Sequence, residues 1–118
     1  MARILVIDDD ADIRALMQQV LTSAAHEVVL ATNGREGADK YRDNPADLVI
    51  TDLYMPDQEG FETIVELRRR FQDAVIIAMS GKTAGIPLLP VAQRLGAVAI
   101  LEKPFSPTQL LNAVEKAL

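Results

Sequence analysis

Five short apolar runs, each followed by a stretch of helical periodicity, limit the folds open to this chain more than any other feature. The runs are Ile4–Ile7, Val28–Ala31, Leu48–Ile50, Ala74–Met79 and Val98–Leu101. They are rich in β-branched residues and nearly continuous rather than alternating. Parallel strands buried on both faces have that pattern. Parallel strands need crossovers, and the intervening stretches read as helices. In the first, Ile13, Leu16, Met17, Val20 and Leu21 fall at i, i+3, i+4, i+7, i+8 and are expected to face inward, with Asp10 placed to cap. The second begins near Asn33-Gly34, with Ala38 and Tyr41 inward. The third carries Phe61, Ile64, Val65 and Phe71 and ends in Arg68-Arg69-Arg70, a run that reads as a solvated helix end. The fourth is bracketed at its start by Pro87 and Pro90, so it should begin late and run about two turns, to near Leu95. The last has a capping box, Ser106-Pro107-Thr108-Gln109, followed by a stripe of Leu110, Leu111, Val114 and Leu118.

The expected architecture is therefore (βα)5, an α/β doubly wound parallel sheet. Crossovers are right-handed almost without exception. In the strand order 2-1-3-4-5, helices 1 and 5 cover one face and helices 2, 3 and 4 the other. The reversal after strand 2 opens a crevice at the C-terminal ends of strands 1 and 3, where ligands of such sheets bind.

The 118 residues make one domain, 1–118, with no repeat, linker or low-complexity segment. With no cysteine, disulfides and thiolate metal sites are excluded, which fits a cytoplasmic location. No apolar run approaches the roughly 20 residues of a membrane helix, and Met1-Ala2-Arg3 is not the start of a signal peptide. A net charge of −5 repels phosphate backbones, so direct nucleic-acid binding is not expected. His26, the sole histidine, reads as a surface residue.

Several polar residues lie directly at the ends of the apolar runs. Asp8-Asp9-Asp10 follow the first, Asp52 the third, Ser80 the fourth and Lys103 the fifth. Each alone has a plainer explanation: a helix-capping loop, a turn before Met55-Pro56, a Ser-Gly turn, a surface Lys-Pro. Together they fall on one edge of one sheet. Two carboxylates about 4 Å apart repel by about 4 kcal/mol at an effective dielectric of 20, so a cluster calls for a cation. An all-oxygen donor set selects a hard ion, Mg2+, with Mn2+ as a substitute. Asp52 is best placed as a nucleophile toward phosphorus. The cation and Lys103 would neutralise phosphoryl oxygens, and the Ser80 hydroxyl would donate to one of them.

The motifs Val6-Ile7-Asp8-Asp9-Asp10, Asp52-Leu53-Tyr54-Met55-Pro56 with Gly60, Met79-Ser80-Gly81, Leu95-Gly96-Ala97 and Leu101-Glu102-Lys103-Pro104-Phe105 span the chain. In them it resembles the receiver domain of bacterial response regulators, a flavodoxin-like fold of two-component systems and phosphorelays. The resemblance implies that Asp8, Asp9, Asp52 and the Tyr54 carbonyl hold Mg2+, and that Asp52 takes a phosphoryl group from a phosphohistidine. It implies that Ser80 senses that group, that Lys103 contacts it and that the Lys103–Pro104 bond is cis. The partners implied are a histidine kinase or histidine phosphotransfer protein and an unnamed downstream target on the helix 4–strand 5–helix 5 face. The chain would be a monomer or a phosphorylation-dependent dimer. It would be a signalling phosphoacceptor, promoting its own phosphorylation and dephosphorylation, rather than an enzyme.

Two departures stand out. Ile100 occupies the switch position where the family often has Tyr or Phe, so a rotating aromatic cannot operate. The stretch Gly81–Pro90, with Gly85, Pro87 and Pro90, is expected to be the least ordered segment. Tyr54 and Lys82, two residues past Asp52 and Ser80, either tune phosphoaspartate hydrolysis or are plain exposed loop side chains. Three other functions compete. A haloacid-dehalogenase-like phosphatase wants a second Asp where Tyr54 stands. A nucleotide or flavin domain wants a Gly- or Ser/Thr-rich loop where Asp8-Asp9-Asp10 stands. A pseudo-receiver, a binding module without phosphorylation, would not need the full set of Asp8, Asp9, Asp52, Ser80 and Lys103.

Overall fold

The structure is a computed structural model that describes residues 1–53, 60–81 and 88–118, the side chains of Gly60, Phe61, Leu88, Leu89, Val91 and Ala92 excepted. Strands and helices alternate: β1 Arg3–Ile7, α1 Ala11–Ser23, β2 Glu27–Ala31, α2 Gly34–Asp43, β3 Leu48–Asp52, α3 Gly60–Arg70, β4 Ile76–Ser80, α4 Leu88–Leu95, β5 Ala99–Glu102 and α5 Pro107–Ala117. The sheet order is β2-β1-β3-β4-β5 and every pairing is parallel, as the continuous apolar runs require.

Alternation along the strands divides the core in two. Leu5, Ile7, Val49, Ile76 and Ala78 join Ala38, Tyr41, Ile64 and Leu67 on the α2–α3 side. Ile4, Val6, Leu48, Ile50, Ile77 and Met79 join Met17, Leu21, Leu110 and Val114 of α1 and α5 on the other. The contacts of α3 with both α2 and α4, and of α1 with α5, complete the expected partition.

The local signals act as read. Asp10 caps α1, accepting from the Asp12 and Ile13 N–H groups, and Asn33 caps α2 through the Glu36 N–H. Ser106 and Gln109 bond reciprocally as a capping box. At α4, eight residues run from Leu88 to Leu95, about two turns. Gly37 of α2 lies hard against β1, where a Cβ would stand 2.3 Å from Ile7 Cδ1. Gly96, at φ +114°, follows α4 in the left-handed region that glycine tolerates.

Some expected core positions face solvent. Leu16 is 41% exposed, Val65 46% and Leu118 52%. Each has the period of its buried stripe but remains exposed. Val98, 52% exposed, precedes β5 rather than opening it. Phe71 lies just past α3, its ring 4.6 Å from that of Tyr41. Two polar positions are more structural than expected. His26 is half-buried, its Nδ1 accepting from the Ala2 N–H at 3.1 Å. Arg68 is not a solvated end, since its guanidinium donates to the Ala74 carbonyl at 2.6 Å and its chain packs against Gly96.

Candidate functional site

Register brings the polar residues together. Ile7 pairs with Thr51, so the next step along each strand sets Asp8 beside Asp52. Asp52 pairs with Met79, placing Ser80 one residue further along the adjoining strand. Ser80 pairs with Glu102, and the Ser80 carbonyl accepts from the Lys103 N–H at 2.6 Å, which ties the start of the β5–α5 loop to the same edge. The Lys103–Pro104 peptide is cis.

Lys103 Nζ donates to Asp8 Oδ2 at 2.8 Å and to Asp52 Oδ2 at 3.2 Å. Asp8 is fully buried and Asp52 5% exposed, whereas Asp9 is exposed. Carboxylate oxygens of all three lie within 4.8 Å of one another. Desolvation is the largest single influence on the Lys103 ammonium and pushes its pKa down. The Asp8 hydrogen bond and the charges of Asp52 and Asp8 together outweigh it, so Lys103 stays raised and protonated.

Among the described residues, the Lys103 ammonium faces three carboxylates. An all-oxygen set at this spacing, with one member open to solvent, fits a hard divalent cation such as Mg2+. The Ser80 hydroxyl is buried and, among the described residues, donates to its neighbour's carbonyl, Gly81 O, at 3.3 Å, a long bond that a better acceptor would replace. Ile100 is half-buried and packs against the α2–α3 core rather than lining the site. The Tyr54 carbonyl, the Tyr54 and Lys82 side chains, and most of the Gly81–Pro90 stretch lie outside the described residues.

Arg14 was not among the residues that the sequence singled out. Its Nη1 donates to the Asp8 carbonyl at 2.7 Å. The available signal was a cation in the first turn of a helix, where the dipole favours acids.

A doubly wound sheet with an acidic cluster and Lys103 at its C-terminal edge defines a class of Mg2+-type phosphoryl-handling domains. The chain belongs to the response regulator receiver domain family, whose model matches residues 4–115. It is 34% identical over 115 residues to the chemotaxis protein CheY of Thermotoga maritima, covering 97% of this chain and 95% of that one. It is 38% identical over 117 residues to the DNA-binding transcriptional regulator NtrC of Azospirillum brasilense, covering 99% of this chain but 24% of that relative's length. Among solved structures, the response regulator TrrA of Thermotoga maritima in complex with Mg2+ and BeF superposes with a TM-score of 0.88 at 33% identity, covering 100% of both chains. The protein is thus a two-component receiver domain with an acidic cluster typical of the family's phosphorylation and Mg2+ site, and the pseudo-receiver alternative is not favoured. Among the described residues, no helix is long and apolar enough to cross a membrane.

Proposed function

We propose that the 118-residue unit accepts a phosphoryl group on Asp52 from a phosphohistidine of a histidine kinase or histidine phosphotransfer protein. The observation that carries this reading is the Lys103 ammonium held between Asp8 at 2.8 Å and Asp52 at 3.2 Å, on the edge shared with Asp9. An Asp52 oxygen forms the bond to phosphorus as the donor's N–P bond breaks, its electron pair staying on the imidazole nitrogen. Asp8, Asp9 and Asp52 would hold Mg2+, or Mn2+ in its place, with the Tyr54 carbonyl as a further ligand. The ion supplies charge neutralisation at the phosphoryl oxygens. Lys103 is already desolvated and aimed at the acceptor carboxylate, so it neutralises developing charge without reorganising. Ser80 exchanges its Gly81 bond for a phosphoryl oxygen and so senses the modification.

In this reading the chain is a phosphoacceptor that assists its own phosphorylation and dephosphorylation, not a turnover enzyme. It works in the cytoplasm as a monomer or phosphorylation-dependent dimer, with no direct nucleic-acid contact. Its downstream partner binds the α4–β5–α5 face. Ile100, at the switch position, transmits by packing rather than rotation, and Tyr54 and Lys82 set the phosphoaspartate lifetime. The test is intact mass after incubation with a small phosphodonor and Mg2+. Wild type should gain one phosphoryl group and Asp52→Asn none. Equal modification of both proteins would overturn the assignment.

A further inference from the structure

The loop that carries Asp8 and Asp9 is held from outside by a residue that touches neither carboxylate. The β1–β2 ladder ends with the Asp8 N–H donating to the Ala31 carbonyl at 3.1 Å. Beyond it, the Asp8 carbonyl accepts from Arg14 Nη1 at 2.7 Å. That carbonyl shares a rigid plane with the Asp9 N–H, so fixing its oxygen fixes the direction in which the chain leaves toward Asp9. Arg14 is itself anchored, its N–H donating to the Asp10 carbonyl at 3.0 Å in the first turn of α1. A ring of bonds therefore encloses Asp9: Arg14 to Asp8 on one side, Arg14 to Asp10 on the other, and the Asp10 N–H to Asp8 Oδ1 at 2.9 Å across the middle.

Two further observations separate this role from ordinary charge pairing. Arg14 forms no ion pair among the described residues, although Asp8, Asp9, Asp10 and Asp12 all lie within its own loop and helix start. Its guanidinium is spent on a backbone oxygen instead. Asp9, for its part, has no side-chain hydrogen bond among the described residues, so only its backbone sets where its carboxylate points. Asp8 and Asp52 are buried and share Lys103, and are fixed without help.

We propose that Arg14 is a positioning residue for the cation site: by clamping the Asp8–Asp9 peptide it aims the exposed Asp9 carboxylate at the ion shared with Asp8 and Asp52. This rests on the Mg2+-dependent reading above. Removing the clamp lets the peptide plane turn and hands the carbonyl to water. Affinity for the ion falls, while Asp52 and Lys103 keep their geometry.

The experiment titrates Mg2+ calorimetrically into wild type, Arg14→Ala, Arg14→Gln and Arg14→Lys, and measures phosphorylation rate against Mg2+ concentration in each. Groups that orient metal ligands typically contribute 10- to 100-fold in affinity, so Arg14→Ala should bind Mg2+ about 10-fold more weakly. Its rate should recover to near the wild-type value at saturating Mg2+. Arg14→Gln and Arg14→Lys, each keeping a donor, should recover part of the affinity. In metal-free protein, exchange of the Asp10 amide hydrogen should quicken in Arg14→Ala. Wild-type affinity in Arg14→Ala, or a rate deficit that saturating Mg2+ does not relieve, would overturn the inference. If Arg14→Ala does not fold, the Gln and Lys variants decide: a partial loss of affinity whose rate deficit saturating Mg2+ relieves supports the clamp, and wild-type affinity in both, or a rate deficit that saturating Mg2+ does not relieve, rejects it. Failure of wild type itself to bind Mg2+ or to modify Asp52 would instead remove the functional reading beneath.

Discussion

At the N-terminal end of the sheet, Arg3 pairs with Glu27 at 3.1 Å, the Arg3 N–H donates to Asp47 Oδ2 at 2.8 Å, and the Ala2 N–H donates to His26. At the C-terminal end, carboxylate oxygens of Asp8, Asp9 and Asp52 lie within 4.8 Å of one another, with Lys103 paired to Asp8 and Asp52. Both ends use acids and a base beside strand termini. At the first, every acid caps a donor of its own and stays partly wet, so the end is locally balanced and stable as it stands. At the second, the acids converge on one another, two of them buried. The contrast separates residues that hold the sheet together from residues that make it a site.

The sharpest way to break that contrast is Lys103→Met. Phosphorylation should slow by roughly 100-fold or more, since a charge aimed at the reacting oxygens is lost. The metal-free protein should lose roughly 1–3 kcal/mol in denaturant unfolding, because two buried carboxylates each lose a donor. The sign of the pH effect follows from the raised Lys103 pKa. A base bound more tightly to its proton in the folded state contributes fully below the unfolded value, about 10.4, and loses that contribution as pH rises through the higher folded value. The stability gap between wild type and Lys103→Met should therefore be level through neutrality and close only above about pH 10. A gap that closes near pH 6 would place the effect on another group.

Added Mg2+ should distinguish the ends next. At 100 times its dissociation constant, an ion that binds only the folded state stabilises by about 2.7 kcal/mol, read as a rise in Tm. The rise should vanish in Asp52→Asn and persist in Asp47→Ala. Persistence in both would mean that the ion binds elsewhere. The smallest effect belongs to Asp47→Ala itself. It should cost about 1 kcal/mol, the net value of one exposed backbone-to-carboxylate bond, and leave the phosphorylation rate unchanged. A rate change there would show that the two ends are coupled.

Much of this was legible before any coordinates. Strands buried on both faces write themselves as apolar runs, so the strands and their helical crossovers followed directly, as did the Asp10 and Ser106 caps and the start of α2 near Asn33. Lys103 and Asp8, 95 residues apart, meet because topology places strand ends side by side, and the polar residues closing each run were enough to see it. Stripe width was not legible: Leu16, Val65 and Leu118 have the right period, but whether a stripe's margin is covered depends on a neighbouring helix's reach. His26 and Arg68 were misjudged because a polar residue looks the same in the sequence whether it bonds water or a distant backbone group. Arg14 escaped notice because its partner is a carbonyl, which leaves no mark in residue types.

The close seat of α2 on β1 carries a further consequence. Gly37 leaves no room between that helix and Ile7, the residue immediately before Asp8. Even a methyl group at position 37 would shove the Ile7 side chain aside, and the disturbance would need to travel only one peptide to reach a buried carboxylate. The tolerance of the acidic edge to mutation is thus set partly on the far side of the sheet, by the smallest side chain in the alphabet.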